Sequence, residues 1–141
     1  MEIEQYQSGQ DFIGFVNNLC ALEEDAAAML SRQLQTLRFR KGEAILVHGS
    51  TCRYLYYINS GLIKTGFESK DRTFVMRFFA EGEMFTVLDS YLSQKPSIYE
   101  VMALEDTVIT RISRTEMDKL RARFHRIETF LGNWLLWLRL T

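Results

Sequence analysis

The sequence predicts a mainly β body flanked by helices, and three observations carry that expectation. Between about residues 35 and 113, short runs rich in β-branched and aromatic residues follow one another, punctuated by Gly42, Gly49, Gly61 and Gly82. Runs of this kind with a turn signal every ~8–12 residues read as an all-β sandwich or barrel. On either side of this zone apolar residues recur at helical spacing instead. The chain has 141 residues, 47% apolar and 13% aromatic, which is enough for one domain to bury a full core without metal or disulfide staples.

Taken in order, Phe12, Phe15, Val16 and Leu19 fall on one helical face. "EEDAAAMLSRQL" opens with acidic residues that suit a helix N-terminus and continues with strong helix formers. Two short helices are therefore expected ahead of the body. The runs "TLRFR", "AILVHG", "YLYYINSG", "LIKTGFES", "RTFVMRFFA", "YEVMALE" and "DTVITRI" are the expected strands. Phe74, Met76 and Phe78 alternate with Thr73, Val75 and Arg77, and Val108, Thr110 and Ile112 keep the same period, which gives those strands an inner and an outer face. "YLYYI" alternates less and suits a strand covered on both faces. Pro96, the single proline, lies in a polar loop and leaves the ladders intact. Residues 81–106 read as a short helix held between two strands, the arrangement that cradles a phosphate, yet the stretch contains no arginine.

Ser113 followed by Glu116 has the spacing of a capping box, so a short helix is expected from there to about Leu120. Phe124, Ile127, Leu131, Trp134 and Leu138 then recur in steps of three, four, three and four, the a/d spacing of a coiled-coil seam, with Phe130 and Trp137 widening the stripe. Such a stripe can pack on the β body or on the same helix of a second copy. Two tryptophans and two phenylalanines exceed what one small barrel end covers, which favours pairing. No C-cap glycine, proline or polar tail closes "WLRLT", so this helix reads as cut. The expected organisation is a β body over residues 1–120 and a dimerisation helix over 121–141.

The formal charge is −1 from 17 basic and 18 acidic residues, so no overall field draws these residues onto nucleic acid. Cys20 and Cys52 form no C-x-x-C pair, and "MEIEQYQSGQ" is acidic and polar where a signal peptide is basic and then apolar, which together point to the cytoplasm. "WLLWLRLT" is far shorter than the roughly 20 residues of a membrane span.

The order of elements and the segments "FRKGEAILVHGS", "YLYYINSGLIK", "FVMRFFAEGEMF" and "YEVMALEDTVITRIS", which cover most of positions 37–113, resemble the sensor domain of Crp/Fnr-type transcription regulators. The paired "KGE" and "EGE" turns and the "YINSGLIK" turn together carry the likeness. The resemblance implies a cyclic-nucleotide-binding β-roll, that is, a double-stranded β-helix of jelly-roll type. It also implies a long helix that makes a parallel dimer and a winged helix-turn-helix on the C-terminal side, which is absent here.

In that family the phosphate-binding cassette reads approximately F-G-E-L, a loop, then R-[ST]-A. Laid on this sequence, its glycine and glutamate fall at Thr86 and Val87, and its arginine, hydroxyl and alanine fall at Ser97, Ile98 and Tyr99. The resemblance assigns the glutamate to a ribose hydroxyl and the arginine to a bidentate contact with the cyclic phosphate, which lysine copies poorly. Without both, little offsets the desolvation of a buried phosphate. Backbone N–H groups at the start of "TVLDSYL" can still bind an anion weakly, and Lys95 can add charge. The expectation is a more apolar pocket that does not answer to cAMP. Its candidate ligand-binding residues are Phe85, Thr86, Val87, Leu88, Lys95, Ser97, Ile98 and Tyr99.

No resident cofactor or metal is expected. An iron–sulfur cluster needs four thiolates, and His48, beside a turn glycine, reads as a surface residue rather than a haem ligand. His125 reads as a solvated helix residue, Cys20 as core, and Cys52 as exposed near a turn. A cupin-type metalloenzyme needs clustered histidines with a glutamate, and no Ser/His/Asp or Cys/His grouping suggests a hydrolase, so no catalytic residues are assigned. The reading is a ligand-sensing and dimerisation domain of a Crp/Fnr-like regulator. Its partners are a second copy of the chain, an unidentified small-molecule effector, and DNA only through a C-terminal domain not in this chain. The alternative is a ligand-free dimerising module whose pocket is filled by large side chains such as Phe85, Tyr91 and Tyr99.

Overall fold

A computed structural model describes residues 2–3 and 9–140. Most of the polar N-terminal stretch read against a signal peptide lies outside the described residues, as does Thr141. Strand β1 (Glu2–Ile3) precedes the two expected helices, α1 (Gly9–Cys20) and α2 (Glu24–Gln33). The body comprises β2 (Gln35–Phe39), β3 (Ala44–Leu46), β4 (Tyr54–Ser60), β5 (Leu62–Ser69), β6 (Arg72–Ala80), β7 (Met84–Phe85), the short helix α3 (Leu88–Ser93), β8 (Glu100–Ala103) and β9 (Thr107–Ser113). Helices α4 (Arg114–Arg123) and α5 (His125–Leu140) close the described chain and part at Phe124. No helix among the described residues is long and apolar enough to cross a membrane.

The strands form two antiparallel sheets, one ordered β1-β2-β9-β4-β7 and the other β3-β8-β5-β6. This is the mainly β architecture with flanking helices that the sequence predicts. Its core is made by Leu37, Leu55, Ile58, Ile63, Val101, Ile109 and Ile112, all buried. Two turns repeat one construction. In "KGE", Gly42 takes a φ of +89° and the Glu43 carboxylate accepts from the Arg40 N–H at 2.8 Å; in "EGE", Gly82 takes a φ of +84° and the Glu83 carboxylate accepts from the Ala80 N–H at 2.9 Å. Glycine supplies the left-handed backbone and the following glutamate closes the turn. Gly61 is required for a second reason: at φ +108° an added Cβ would sit 2.7 Å from the Thr107 Cα. The expected capping box is half formed, with the Ser113 hydroxyl accepting from the Glu116 N–H at 3.2 Å.

Three expectations are corrected. The alternation in β6 does not separate buried from solvated residues, since Phe74, Met76 and Phe78 are 42%, 54% and 59% exposed and Val75 is exposed as well. β6 is the edge strand of its sheet, paired with β5, and of residues 73–78 only Arg77 is partly covered. In β9 the period fails in the opposite sense. Thr107 and Ile109 are buried along with Thr110 and Ile112, because the strand lies between β2 and β4 at the centre of its sheet.

The third correction concerns the closing helix. Phe124, Ile127, Leu131, Trp134 and Leu138 were expected on a seam with a second copy, yet all five are buried within their own chain, Leu131 completely. The stripe is used up within the chain, where α5 packs against α1, α3 and α4 and Phe15 meets Phe130 edge-on at 6.5 Å. Apolar area sequestered inside the chain is no longer available to a partner. The solvent face of α5 carries instead Thr129, Gly132, Asn133, Leu136, Trp137 and Leu140.

Candidate functional site

After β7 the chain leaves the sheet through Thr86 and Val87 and turns into α3. Side chains of the turn, of α3 and of Arg114 hold it in place. The Thr86 hydroxyl donates to the Tyr54 carbonyl at 2.8 Å and lies 3.3 Å from the Cys52 Sγ. The Cys52 N–H donates to the Ser90 hydroxyl at 2.8 Å, and that hydroxyl donates on to the Lys95 carbonyl at 2.6 Å. Gln94, left-handed at φ +55°, ends α3 and donates its side-chain amide to the Tyr91 and Cys52 carbonyls at 2.7 and 3.0 Å. Arg114 donates to the Tyr91 and Leu92 carbonyls, each at 2.8 Å, and so satisfies the exposed end of the helix. Cys52, expected near the surface, is fully buried beneath this helix.

Beside this turn lies a cavity of about 160 Å³ lined by residues of the roll, of α3 and of α5. Its apolar wall comes from Met76, Phe79, Val87, Leu88, Tyr99 and Leu138, and its polar groups are Thr65, Arg77, Thr86 and Asp89. Phe79 stacks on Phe85 at 5.4 Å and Phe85 on Tyr56 at 4.8 Å, so an aromatic column stiffens that side. The Arg77 guanidinium lies over the Phe79 ring, 4.7 Å from its centre. Because the Thr86 hydroxyl already donates to Tyr54, it offers a ligand only acceptor capacity.

Four of the sequence-predicted residues, Thr86, Val87, Leu88 and Tyr99, come together here. Phe85 lies behind them, wholly buried in the column. Lys95 and Ile98 are exposed and away from the cavity. Ser97 is buried in its own turn, with its hydroxyl donating to the Tyr99 carbonyl and accepting from the Tyr99 N–H. The backbone anion site expected at "TVLDSYL" is compromised, because α3 is a single short helix whose first turn carries Asp89, of the wrong sign for a phosphate. Sequence reasoning missed Arg77, which stands in the β6 alternation, and placed Leu138 on a different surface.

A larger pocket of about 460 Å³ lies between α1 and α5, lined by Phe15, Leu19, Met84, Phe130, Trp134 and Trp137 among others. Its lining joins Glu83 and Asn133 to two indole rings, and none of the residues predicted for the ligand site reaches it. His48 is exposed at its turn. Among the described residues no three His, Cys, Asp or Glu side chains gather as a metal site.

The family model for the cyclic nucleotide-binding domain matches residues 36–124. Comparison with curated protein sequences finds no match. Among solved structures, the chain is similar to the catabolite activator protein of Thermus thermophilus, at 20% identity and a TM-score of 0.72 over 89% of this chain and 58% of that one. It is also similar to a cyclic nucleotide-binding domain from Methylobacillus flagellatus, at 15% identity and a TM-score of 0.78 over 96% and 79% of the two chains. A third likeness is to the sensor domain of the transcriptional regulator DNR from Pseudomonas aeruginosa, at 15% identity and a TM-score of 0.75 over 93% and 87%. At these identities the likeness is one of fold. The chain spans little more than half the length of the catabolite activator protein.

Proposed function

We propose that this chain, which belongs to the cyclic nucleotide-binding domain family, is the ligand-sensing and dimerisation part of a Crp/Fnr-like transcription regulator that answers to a small molecule other than cAMP. The observation that carries this reading is the wall shared by roll and helix: Leu138 of α5 lines the same cavity as Thr86, Val87, Leu88 and Tyr99. An effector bound there touches α5 directly. It can therefore favour one seating of the helix over another, which is the differential contact a switch requires.

Three features speak against cAMP. No arginine or glutamate stands at the cassette positions, where Thr86, Val87 and Ser97 are found. Asp89 opposes a phosphate at the helix start. The cavity, at about 160 Å³, is well below the ~300–1,000 Å³ of sites that enclose larger ligands. Phe85 and Tyr91 do fill space in the roll, as the alternative of a ligand-free module requires, but room for a small molecule survives beside them.

Homodimerisation is assigned to the outward face of α5, where Thr129, Gly132, Leu136 and Leu140 follow in steps of three, four and four. Leu136 and Leu140 are 56% and 76% exposed, and nothing lies within 4 Å of the Gly132 Cβ position, which leaves room for a second helix to approach closely. Contact with DNA is assigned to a further domain outside this sequence, and the setting to the cytoplasm. Isothermal titration with cAMP up to millimolar concentration tests the ligand side and is expected to give no saturable heat. A micromolar Kd would sink the proposal that the effector is something else.

A further inference from the structure

Resting on that reading of the cavity, we infer that the ligand is a small monoanion, with an apolar body about the size of one ring and a carboxylate held by Arg77. Size comes first. A dry apolar cavity of ~150 Å³ accepts benzene, and this one measures about 160 Å³, so its interior holds a body of one ring. The wall from Met76, Phe79, Val87, Leu88, Tyr99 and Leu138 demands an apolar body.

Charge sets the rest. Arg77 is half-buried, its guanidinium packed over the Phe79 ring at 4.7 Å, and among the described residues it has no carboxylate, carbonyl or hydroxyl partner. A guanidinium keeps its charge at any physiological pH and offers a fork of donors that fits a carboxylate in two parallel bonds. Asp89 opposes an anion at the start of α3, but it is exposed, so water screens its field more than that of half-buried Arg77, which enters the cavity from β6. The better-shielded cation therefore decides the sign of the ligand. This cation stands on strand β6, outside the cassette stretch of the sequence.

Four probes of one shape test the inference by isothermal titration: benzoate, benzamide, benzylamine and toluene. Benzoate is expected to bind at least about tenfold more tightly than benzamide, the lower end of what a charge-assisted hydrogen bond contributes. Arg77→Met keeps an apolar stem over Phe79, lies on an edge strand, and is expected to abolish that preference, with toluene still binding as the sign that the cavity has formed. Arg77→Lys, a point charge without the fork, is expected to retain only part of it. Equal binding of benzoate, benzamide and toluene would overturn the inference and leave the cavity as a ligand site. Tightest binding by benzylamine would overturn it in favour of Asp89. A benzoate preference that survives in Arg77→Met would also overturn it. If none of the four binds, the reading of the cavity fails together with the inference.

Discussion

Replacing Leu131 with alanine separates the two uses open to the helical stripe. Leu131 has no exposed surface and sits midway along α5, buried within its own chain. Removing a buried leucine side chain costs the lost transfer energy plus the cavity left behind, about 2–5 kcal/mol in well-packed cores. Because domains of this size are stable by only about 5–15 kcal/mol, that is a large fraction of the whole. Leu136, 56% exposed on the opposite face, should lose less than about 0.5 kcal/mol on the same truncation. Urea unfolding followed by circular dichroism measures both variants, at low protein concentration so that association does not contribute. The expected result is a large drop in midpoint for Leu131→Ala and almost none for Leu136→Ala. If the two variants fall together, or Leu131→Ala stays within about 1 kcal/mol of the wild type, α5 is not packed into its own chain as described and Leu138 cannot report on the cavity.

The double variant Leu136→Glu/Leu140→Glu should keep the wild-type circular dichroism spectrum and sediment as a monomer at concentrations where the wild type is a dimer, while a wild type already monomeric at high micromolar concentration would refute the assigned interface. Tyr91→Phe should raise stability by about 1 kcal/mol, since the Tyr91 hydroxyl is buried without a hydrogen-bond partner among the described residues and the Arg114 contact with the ring survives; a loss in the urea midpoint would refute this. The Glu128 carboxyl is held below its usual range by its bidentate pairing with Arg121, so its contribution is present above the ordinary glutamate value of about 4.3 and is lost as pH falls through the lower folded-state value. Glu128→Gln should therefore flatten the decline of the urea midpoint between about pH 5 and pH 3.

Much of the fold was legible because local rules and the global fold agree. The "KGE" and "EGE" turns declare themselves through a glycine with positive φ and a carboxylate that accepts from the residue opening the turn. Ser113 marks the start of α4 in the same local way. What escaped depends on what stands opposite an element, which local pattern does not record. The a/d spacing of Phe124 to Leu138 is the same whether the facing surface belongs to the chain itself or to a second copy, and here the chain's own elements cover it. The β6 alternation is present, but on this edge strand it does not divide buried from exposed residues.

The site divides along the same line. Thr86, Val87, Leu88 and Tyr99 were found from a single stretch of sequence, whereas Arg77 and Leu138 reach the cavity from β6 and α5. A cation in an alternating strand looks like any solvated residue until the ring beneath it and the cavity beside it are known. Cys52 was misplaced for a related reason: α3, packed over it through Ser90 and Gln94, is distant in sequence.

The central claim is that occupancy of the cavity is felt by the last turns of α5 through Leu138. Methyl NMR of the leucine and valine side chains during a benzoate titration measures this most directly. The account predicts that the Leu138 methyls shift along one saturation curve with those of Val87 and Leu88. Saturating shifts at Val87 and Leu88 with Leu138 unmoved would contradict it.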